Sequence, residues 1–178
     1  MLLMRKAIIV YMLFECSLFA NSALSEMIII FSQFLKNPMQ VGEVAPISNL
    51  AGKELSKFVV HNADKDSVSV LEVGAGCGSV SCIIARQLRP QDHLDLIEIN
   101  PEMCEILKKR FASYTNIAVH CCSILDWPCD KKYDYIISTL PFNSLGKEFA
   151  QNVIALFKQL IVDDGIISYL EYPLVRQV

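Results

Sequence analysis

Three things are scarce in this sequence, and each scarcity excludes a class of protein. No apolar run approaches the roughly 20 residues that a helix needs to span a bilayer, because the run from Ala7 to Phe14 ends at Glu15. Positive charge is not in excess: 16 Lys and Arg stand against 19 Asp and Glu, a formal net charge of -3, which argues against a general nucleic-acid binder. Repeats and low-complexity stretches are absent, and 178 residues correspond to about one domain.

Cysteine occurs seven times, an odd number, in apolar segments that do not need disulfides to form a core. Cys121, Cys122 and Cys129 are clustered, but their spacing matches no zinc pattern, and only His120 lies near them. The sequence therefore predicts reduced thiols, a cytoplasmic protein and no metal site.

The N-terminal residues 1–36 are predicted to be a hydrophobic or amphipathic helical extension. A basic pair followed by an apolar run resembles a signal peptide, but Glu15 interrupts that pattern. Two interpretations remain: a helix that lies on a membrane or packs on the domain, and an upstream extension whose natural start is Met27. The first is favoured for Met27 to Leu35, where three apolar residues share one helical face: Ile28, Phe31 and Leu35.

Beyond residue 37 the chain alternates strand-like and helix-like patterns. Strands are predicted at Ser67–Val73, His93–Ile99, Ile117–Cys122, Tyr133–Thr139 and Gly165–Tyr172. Helices are predicted at Ser79–Leu88, Pro101–Ala112 and Lys147–Leu160, after a first helical stripe that ends near His61. This alternation predicts an α/β fold, with a mostly parallel sheet, helices on both faces, and a ligand site beyond the carboxyl ends of the strands.

The segment VLEVGAGCGSV, residues 70–80, places Gly74, Gly76 and Gly78 directly after a predicted strand. Glycines let the backbone turn sharply and approach a ligand, and the next helix begins with its amides toward the same cavity. The dinucleotide pattern G-x-G-x-x-G needs its third glycine at Ser79, so the spacing is wrong for that cofactor. Glu72, inside the strand, favours a ligand with positive charge near the loop, such as S-adenosylmethionine with its ammonium and sulfonium.

Glu98 lies at the end of the next predicted strand. A carboxylate in that position can accept hydrogen bonds from both hydroxyls of a ribose. Together with the glycine loop and Glu72, it predicts a nucleoside-containing ligand at this edge of the sheet.

The segments VLEVGAGCGSVS and LIEINPEM resemble motif I and the following acidic strand end of class I S-adenosylmethionine-dependent methyltransferases, and the resemblance runs from about Val41 to Tyr172. It implies a Rossmann-like methyltransferase domain at residues 37–178. It also implies a set of cofactor contacts: Gly74, Ala75, Gly76 and Gly78 at the methionine part, Glu98 at the ribose, and Ile99 beside the adenine.

The family usually has an acidic residue after the third strand, to bind the adenine amine. This chain has Cys122 and Ser123 there, followed by Ile124. The resemblance then implies that the Ser123 hydroxyl or a backbone amide at Ser123 or Ile124 takes over that role.

Thr139-Leu140-Pro141-Phe142, at the end of the fourth predicted strand, is similar to the N-P-P-Y or N-L-P-Y tetrapeptide of amino-methylating enzymes. In such a site polar oxygens hold the amine, proline stiffens the turn, and an aromatic face stabilises the cationic product. The alternative interpretation is a proline turn that closes a strand over a core phenylalanine. Thr139 stands where the motif has asparagine, and this loss of an amide is expected to affect specificity for adenine more than methyl transfer itself.

The segment FLKNPMQVGEVAPISNLAGKEL, residues 34–55, resembles the corresponding part of bacterial phospholipid N-methyltransferases, in which a membrane-touching helix leads into a V-G-x-x-A-P-x-S turn. This resemblance implies methyl transfer to the amine of phosphatidylethanolamine, at the inner face of the membrane. Phe142 is then expected near the ammonium, together with one of Tyr169, Tyr172 or Trp127.

Two alternative functions remain open. One is an rRNA adenine N6-dimethyltransferase-like enzyme, which would act on nucleic acid, although its G-Q-N-F-L motif is not found in this sequence. The other is a degenerate methyltransferase-like module that binds without turnover.

The sequence stops at YLEYPLVRQV, just after the fifth predicted strand. Class I methyltransferases continue with a sixth and a seventh strand, so the resemblance predicts a sheet truncated after its fifth strand. An unpaired fifth strand would expose backbone groups and invite association.

Overall fold

The computed structural model of the chain describes residues 8–13, 52–59, 65–128, 130–140, 142 and 146–171. Six strands form one sheet: β1 Ile8–Leu13, β2 Ser69–Val73, β3 His93–Glu98, β4 Ile117–Cys121, β5 Tyr133–Ser138 and β6 Ile161–Glu171. Their order across the sheet is β1-β6-β5-β2-β3-β4. Every neighbouring pair is parallel, so the predicted Rossmann-like α/β fold is confirmed.

Helices connect these strands. The described residues contain α1 Ser79–Ala85, α2 Pro101–Arg110 and α3 Lys147–Leu160, with a helical segment at residues 52–56 and a 3-10 turn at Ile124–Asp126. The bounds of α3 agree with the prediction, whereas α1 and α2 end two or three residues early. At the end of α1 the chain turns tightly, because the Gln87 amide donates to the Ile84 carbonyl at 2.8 Å.

The sheet is covered on both faces, and successive strand residues alternate between the two. On one face, termed the α1 face, Val70 and Leu96 pack with Ile84 of α1 and Leu107 of α2. Leu55, from the helical segment at residues 52–56, joins the same cluster. Each such fully buried aliphatic side chain contributes about 1.5–3 kcal/mol before ordering costs.

The opposite face, termed the α3 face, has its own cluster. Leu71 and Ile97 of the sheet pack there with Val153 and Phe157 of α3, and Ile124 of the 3-10 turn joins them. The helices therefore hold β2, β3 and β5 rigidly from both sides, and the carboxyl ends of these strands meet at one edge.

The strand β1 corrects two expectations. Residues Ile8–Leu13 pair in parallel with β6, from Ile8 opposite Ile166 to Leu13 opposite Glu171, so the helical extension predicted for residues 1–36 is wrong at this point. β6 is paired on both sides, so the predicted unpaired strand is wrong as well. The physical reason is that IIVYML is rich in residues that favour strands, and a buried parallel strand leaves backbone groups that need partners.

The helix predicted for Met27 to Asn37, and the alternative start at Met27, lie outside the described residues. Within the described ranges, no helix is long and apolar enough to cross a membrane.

Candidate active site

The loop between β2 and α1 has the backbone shape that its glycines predict. The φ angle is +81° at Gly74, +56° at Gly76 and +90° at Gly78, in the left-handed region that residues with a side chain rarely adopt. The amides of Gly74 and Ala75 both donate to the Ile97 carbonyl, at 2.9 and 3.2 Å. The loop is therefore fixed at the point where β2 and β3 end.

Two of these glycines are also required by their surroundings. A Cβ at Gly74 would lie 3.1 Å from Leu140 Cδ2 and 3.2 Å from Thr139 Oγ1. A Cβ at Gly78 would lie 2.9 Å from Leu107 Cδ2. The loop thus packs closely on the turn after β5 on one side and on α2 on the other.

Glu98 turns its carboxylate toward the glycine loop. Its Oε2 accepts a hydrogen bond from the Gly76 amide at 2.8 Å, and its Oε1 accepts one from the Asn100 amide at 2.9 Å. A carboxylate oxygen can accept about two hydrogen bonds, so each oxygen keeps capacity for a ligand hydroxyl.

Asn100 is a positioning residue that the sequence analysis did not single out. Its side-chain oxygen caps α2 by accepting from the Glu102 amide at 2.9 Å, while its own amide holds Glu98. The sequence does contain a signal for this capping role, because Asn followed by Pro and Glu is typical of a helix N-terminus.

Glu72 is fully buried in β2, two residues before Gly74. Within the described residues, neither of its carboxyl oxygens nor the Ser81 hydroxyl has a hydrogen-bond partner of ordinary geometry. Burial raises the pKa of Glu72 to about 8, the nearby Ser81 hydroxyl offsets part of that rise, and the charge of Glu98 adds to it. The strand carboxyl expected to present a negative charge is therefore a desolvated acid, largely neutral at pH 7.

The turn after β5 packs directly against the glycine loop. Thr139 Oγ1 donates a hydrogen bond of 2.6 Å to the Gly74 carbonyl, and the Thr139 amide donates to the Val73 carbonyl at 3.1 Å. The buried Ser138 hydroxyl steadies the turn by accepting from the Leu140 amide at 3.3 Å. Because the Thr139 hydroxyl proton is used on Gly74, its oxygen presents only lone pairs elsewhere, which suits an N–H donor.

Phe142 lies half-buried beside this turn. Its ring makes edge contacts with Tyr169, at a centroid distance of 5.5 Å, and with Phe157, at 6.5 Å. Of the aromatic residues expected near Phe142, Tyr169 is thus adjacent to it. Pro141 and Tyr172 lie outside the described residues.

The residues expected around an adenine lie at the same edge in different environments. Ile99 follows β3 and is 69% exposed, as an apolar ligand contact requires. Ser123 Oγ accepts from the Leu125 amide at 3.2 Å and so caps the 3-10 turn. The Ile124 side chain is buried in the α3-face core, so only its backbone can meet a ligand.

A buried polar cluster around Asp95 of β3 was not predicted. Its carboxylate accepts hydrogen bonds from Lys131 and from the Tyr133 hydroxyl at 2.9 Å, and His120 Nε2 lies 2.7 Å away. Burial alone raises the pKa of Asp95, but the hydrogen bonds from Lys131 and His120 outweigh it and hold the pKa below its usual range. Trp127 belongs here, since its indole donates to Tyr133 at 3.2 Å.

Two features of this edge fit the cofactor that the resemblance implies. The glycine loop carries no side chain at Gly74 and Gly78, where a Cβ would crowd Leu140 and Leu107, and Glu98 has lone pairs free for a ribose beside it. Glu72 is a buried acid without a partner in the described structure, and a nearby cationic group would offset the cost of its ionisation.

A protein-family model described as a methyltransferase domain matches residues 70–165, more than half of the chain. The match begins in β2 and ends in β6, so it contains the glycine loop, Glu98 and the turn after β5. Among curated proteins, the chain is similar to an ornithine lipid N-methyltransferase from Singulisphaera acidiphila. The two are 26% identical over 162 residues, which cover 86% of this chain and 82% of that protein.

Solved structures share the fold. The CurJ carbon methyltransferase superposes with a TM-score of 0.61 at 19% identity, covering 79% of this chain and 40% of its own. The phosphoethanolamine N-methyltransferase 1 of Haemonchus contortus, in complex with phosphoethanolamine and S-adenosylhomocysteine, superposes with a TM-score of 0.61 at 15% identity, covering 89% of this chain and 34% of its own. The chain therefore spans less than half the length of either structure.

Proposed function

Because the chain belongs to the methyltransferase domain family and is an S-adenosylmethionine-dependent methyltransferase, we propose that it methylates the primary amine of a membrane lipid, with phosphatidylethanolamine as the acceptor. The proposal rests on the contact between the glycine loop and the turn after β5. Thr139 Oγ1 and the Gly74 carbonyl are 2.6 Å apart, so a methyl donor held on the loop and an amine held on the turn would be neighbours.

The cofactor side of the site has a clear division of roles. When bound, S-adenosylmethionine supplies a methyl group on an electrophilic sulfonium. The glycine loop, from Gly74 through Ala75 and Gly76 to Gly78, accommodates the methionine part. Glu98 accepts hydrogen bonds from the ribose hydroxyls, and the exposed Ile99 packs on the adenine, with Ser123 and the Ile124 backbone at the adenine edge.

The acceptor side has to favour a neutral amine. An ammonium has no lone pair, so the amine must lose its proton, and partial desolvation beside Leu140 and Phe142 favours that neutral form. The lone pairs of Thr139 Oγ1 accept from the amine and orient it. The faces of Phe142 and Tyr169 stabilise the cationic product. No covalent enzyme intermediate is required.

A second acceptor is supported by one specific observation. The relative from Singulisphaera acidiphila is described as an ornithine lipid N-methyltransferase, and its match covers 86% of this chain. Ornithine lipid, like phosphatidylethanolamine, carries an amine and acyl chains, so the same site chemistry applies to both.

The decisive assay measures transfer of label from S-adenosylmethionine to three acceptors in parallel. These are vesicles of phosphatidylethanolamine, vesicles of ornithine lipid, and unmodified small-subunit rRNA. We expect label in phosphatidylethanolamine. Label only in ornithine lipid would contradict phosphatidylethanolamine as the acceptor but would still support a lipid substrate. Label only in rRNA would contradict the proposed function and support adenine methylation. Cofactor binding without transfer to any of the three would favour a binding module.

Phe142 is the residue on which the acceptor site depends most. We expect Phe142→Ala to lower kcat by about tenfold to a hundredfold, because about 1.4–2.7 kcal/mol of cation stabilisation is lost. Affinity for the cofactor should change little. Phe149→Ala is the matched control, since Phe149 packs on the same core cluster. An equal loss in both variants would mean that Phe142 acts only through packing.

A further inference from the structure

An open groove lies along α3, beside the proposed acceptor site. It has a volume of about 450 Å³ and is lined by Phe142, Lys147, Ala150, Gln151, Ile154, Ala155, Lys158 and Tyr169. Volumes of about 300–1,000 Å³ are usual for small-molecule sites. Six of the lining residues belong to α3 and recur at helical spacing, so the groove follows the helix axis.

The groove is continuous with the acceptor site, since the same aromatic pair forms its wall. Phe142 and Tyr169 are in edge contact at 5.5 Å and both line the groove. Phe142 also contacts Phe157, with ring centroids 6.5 Å apart, so the aromatic pair meets the groove beside the later turns of α3. A molecule whose amine reaches Thr139 and Phe142 can therefore extend along α3.

The described part of the β1–β2 connection lies away from this groove. Leu55 and Val59 pack in the α1-face cluster, on the opposite side of the sheet. That placement agrees with the right-handed crossing that parallel strands require. Among the described residues, the groove is therefore left open to a ligand from outside.

The lining of the groove is apolar with a basic rim. Ile154, Ala155 and the two aromatic rings form the apolar part, and the exposed Lys147 and Lys158 supply positive charge. No carboxylate is among the described residues that line it. Lysine side chains can pack their stems along an apolar chain while their ammonium groups reach phosphates. This combination matches an amphiphile with an acyl chain and an anion.

The dimensions agree with one acyl chain of a bilayer leaflet. From Lys147 to Lys158 the helix rises by about 16 Å, at about 1.5 Å per residue. Half of the hydrocarbon core of a bilayer is about 15 Å thick. We propose that this groove binds an acyl chain of the phospholipid whose headgroup amine lies at Phe142, with a lysine of the groove rim at its phosphate. The proposal rests on the proposed function, and it adds that acyl chain length governs recognition of the substrate.

The test uses a phosphatidylethanolamine with a photoactivatable diazirine in one acyl chain, presented in phosphatidylcholine vesicles. After irradiation, adducts are mapped by peptide mass spectrometry, and methyl transfer is measured on the same samples. We expect adducts within residues 150–158. Ala155→Glu should lower their yield by about tenfold, because a carboxylate against an acyl chain is poorly solvated. Asn152→Glu is the control on the same helix, since Asn152 is exposed and does not line the groove, and it should keep the yield.

The kinetic readout is chain-length dependence. Ala155→Glu should lower turnover of dioleoyl phosphatidylethanolamine and leave turnover of the soluble dihexanoyl form unchanged. An equal loss of turnover on both forms would refute the proposal that the groove binds an acyl chain. Adducts confined to other segments of the chain would overturn it too. If another segment of this chain fills the groove, Ala155→Glu will lower the unfolding temperature without lipid and α3 will carry no adducts. Adducts on α3 without methyl transfer would support acyl-chain binding in the groove and refute the proposed function.

Discussion

Glu72 and Glu98 lie on neighbouring strands of one sheet, yet their surroundings give them different chemistry. Glu98 accepts two backbone hydrogen bonds, from Gly76 and Asn100, which fix the orientation of its carboxyl group. Glu72 is fully buried without a partner in the described structure, and its pKa is raised to about 8. The first is suited to hold hydroxyl groups, and the second responds to any positive charge that approaches the loop.

Glu98→Ala should weaken binding of S-adenosylmethionine by about 1.5–3 kcal/mol, the value of charge-assisted hydrogen bonds to two hydroxyls. Isothermal titration calorimetry measures this directly. Glu102→Ala is the control, because Glu102 is an exposed acid four residues further along the chain. Unchanged affinity in a folded Glu98→Ala protein would remove Glu98 from the cofactor site.

Glu72→Gln should change how stability depends on pH. The unfolded carboxyl has a pKa near 4.5 and the folded one near 8, so between these values the folded state holds a proton that the unfolded state has lost. The free energy of unfolding should then fall as pH rises through this window. Glutamine cannot ionise, so the variant should lack this contribution. Urea unfolding at a series of pH values tests it, and identical slopes for the two proteins would refute the raised pKa.

At the scale of elements, two helices are preceded by a glycine with positive φ. The N-cap of α1 is Gly78, with φ +90°, and the N-cap of α3 is Gly146, with φ +82°. Neither helix has a side-chain cap, in contrast to α2, which Asn100 caps. The two glycines differ in ψ, which is 24° at Gly78 and 148° at Gly146, and also in what surrounds them.

This difference predicts unequal costs for the same substitution. Gly146→Ala meets nothing within 4 Å, so it should cost about 1–3 kcal/mol of stability through backbone strain alone. Gly78→Ala should cost about 1–2 kcal/mol through left-handed strain and about 1–3 kcal/mol more through overpacking, because its Cβ would lie 2.9 Å from Leu107 Cδ2. Denaturant unfolding of both variants measures these losses. A loss of no more than about 2 kcal/mol for Gly78→Ala would show that Leu107 yields to the added methyl group.

For the molecule as a whole, the pairing of β1 with β6 decides how the sheet ends. Six residue pairs join these strands, and β6 is an apolar strand whose backbone groups would otherwise lack partners on that side. Edges of this kind template association with other chains. Among the described residues, β1 thus covers the outer side of β6 and becomes the edge of a sheet whose other strands come from residues 69–171.

Removal of residues 1–13 should lower the unfolding midpoint by at least about 2 °C, because the lost pairing exceeds about 1 kcal/mol and each kcal/mol shifts a chain of this size by about 2–4 °C. Light scattering should also show association. Removal of residues 1–7 alone leaves β1 intact and serves as the control. If the protein without residues 1–13 associates no more than the full chain and has an unchanged midpoint, β1 does not stabilise this edge of the sheet.

Five strands and three helices could be predicted from the sequence because their signals are local. Each signal can be recognised within a few residues of sequence: the apolar run of β2, the glycines that follow it, and the Asn-Pro pair before α2. The position of Glu98 followed from the same logic, since parallel strands end at one edge. The strand β1 could not be predicted this way. IIVYML suits a strand or a buried helix equally, and only its partner β6, more than 150 residues away, distinguishes them.

The sequence by itself determined the order of the elements from β2 to β6 and the glycine loop between β2 and α1, because periodicity and glycine spacing are properties of short segments. Tertiary structure decided the rest, because the contacts involved join distant residues. The hydrogen bond from Thr139 to Gly74 connects residues 65 positions apart, and the bond from Tyr133 to Asp95 connects residues 38 apart. The raised pKa of Glu72 likewise depends on the depth of its burial, which exists only once α1 has packed on the sheet.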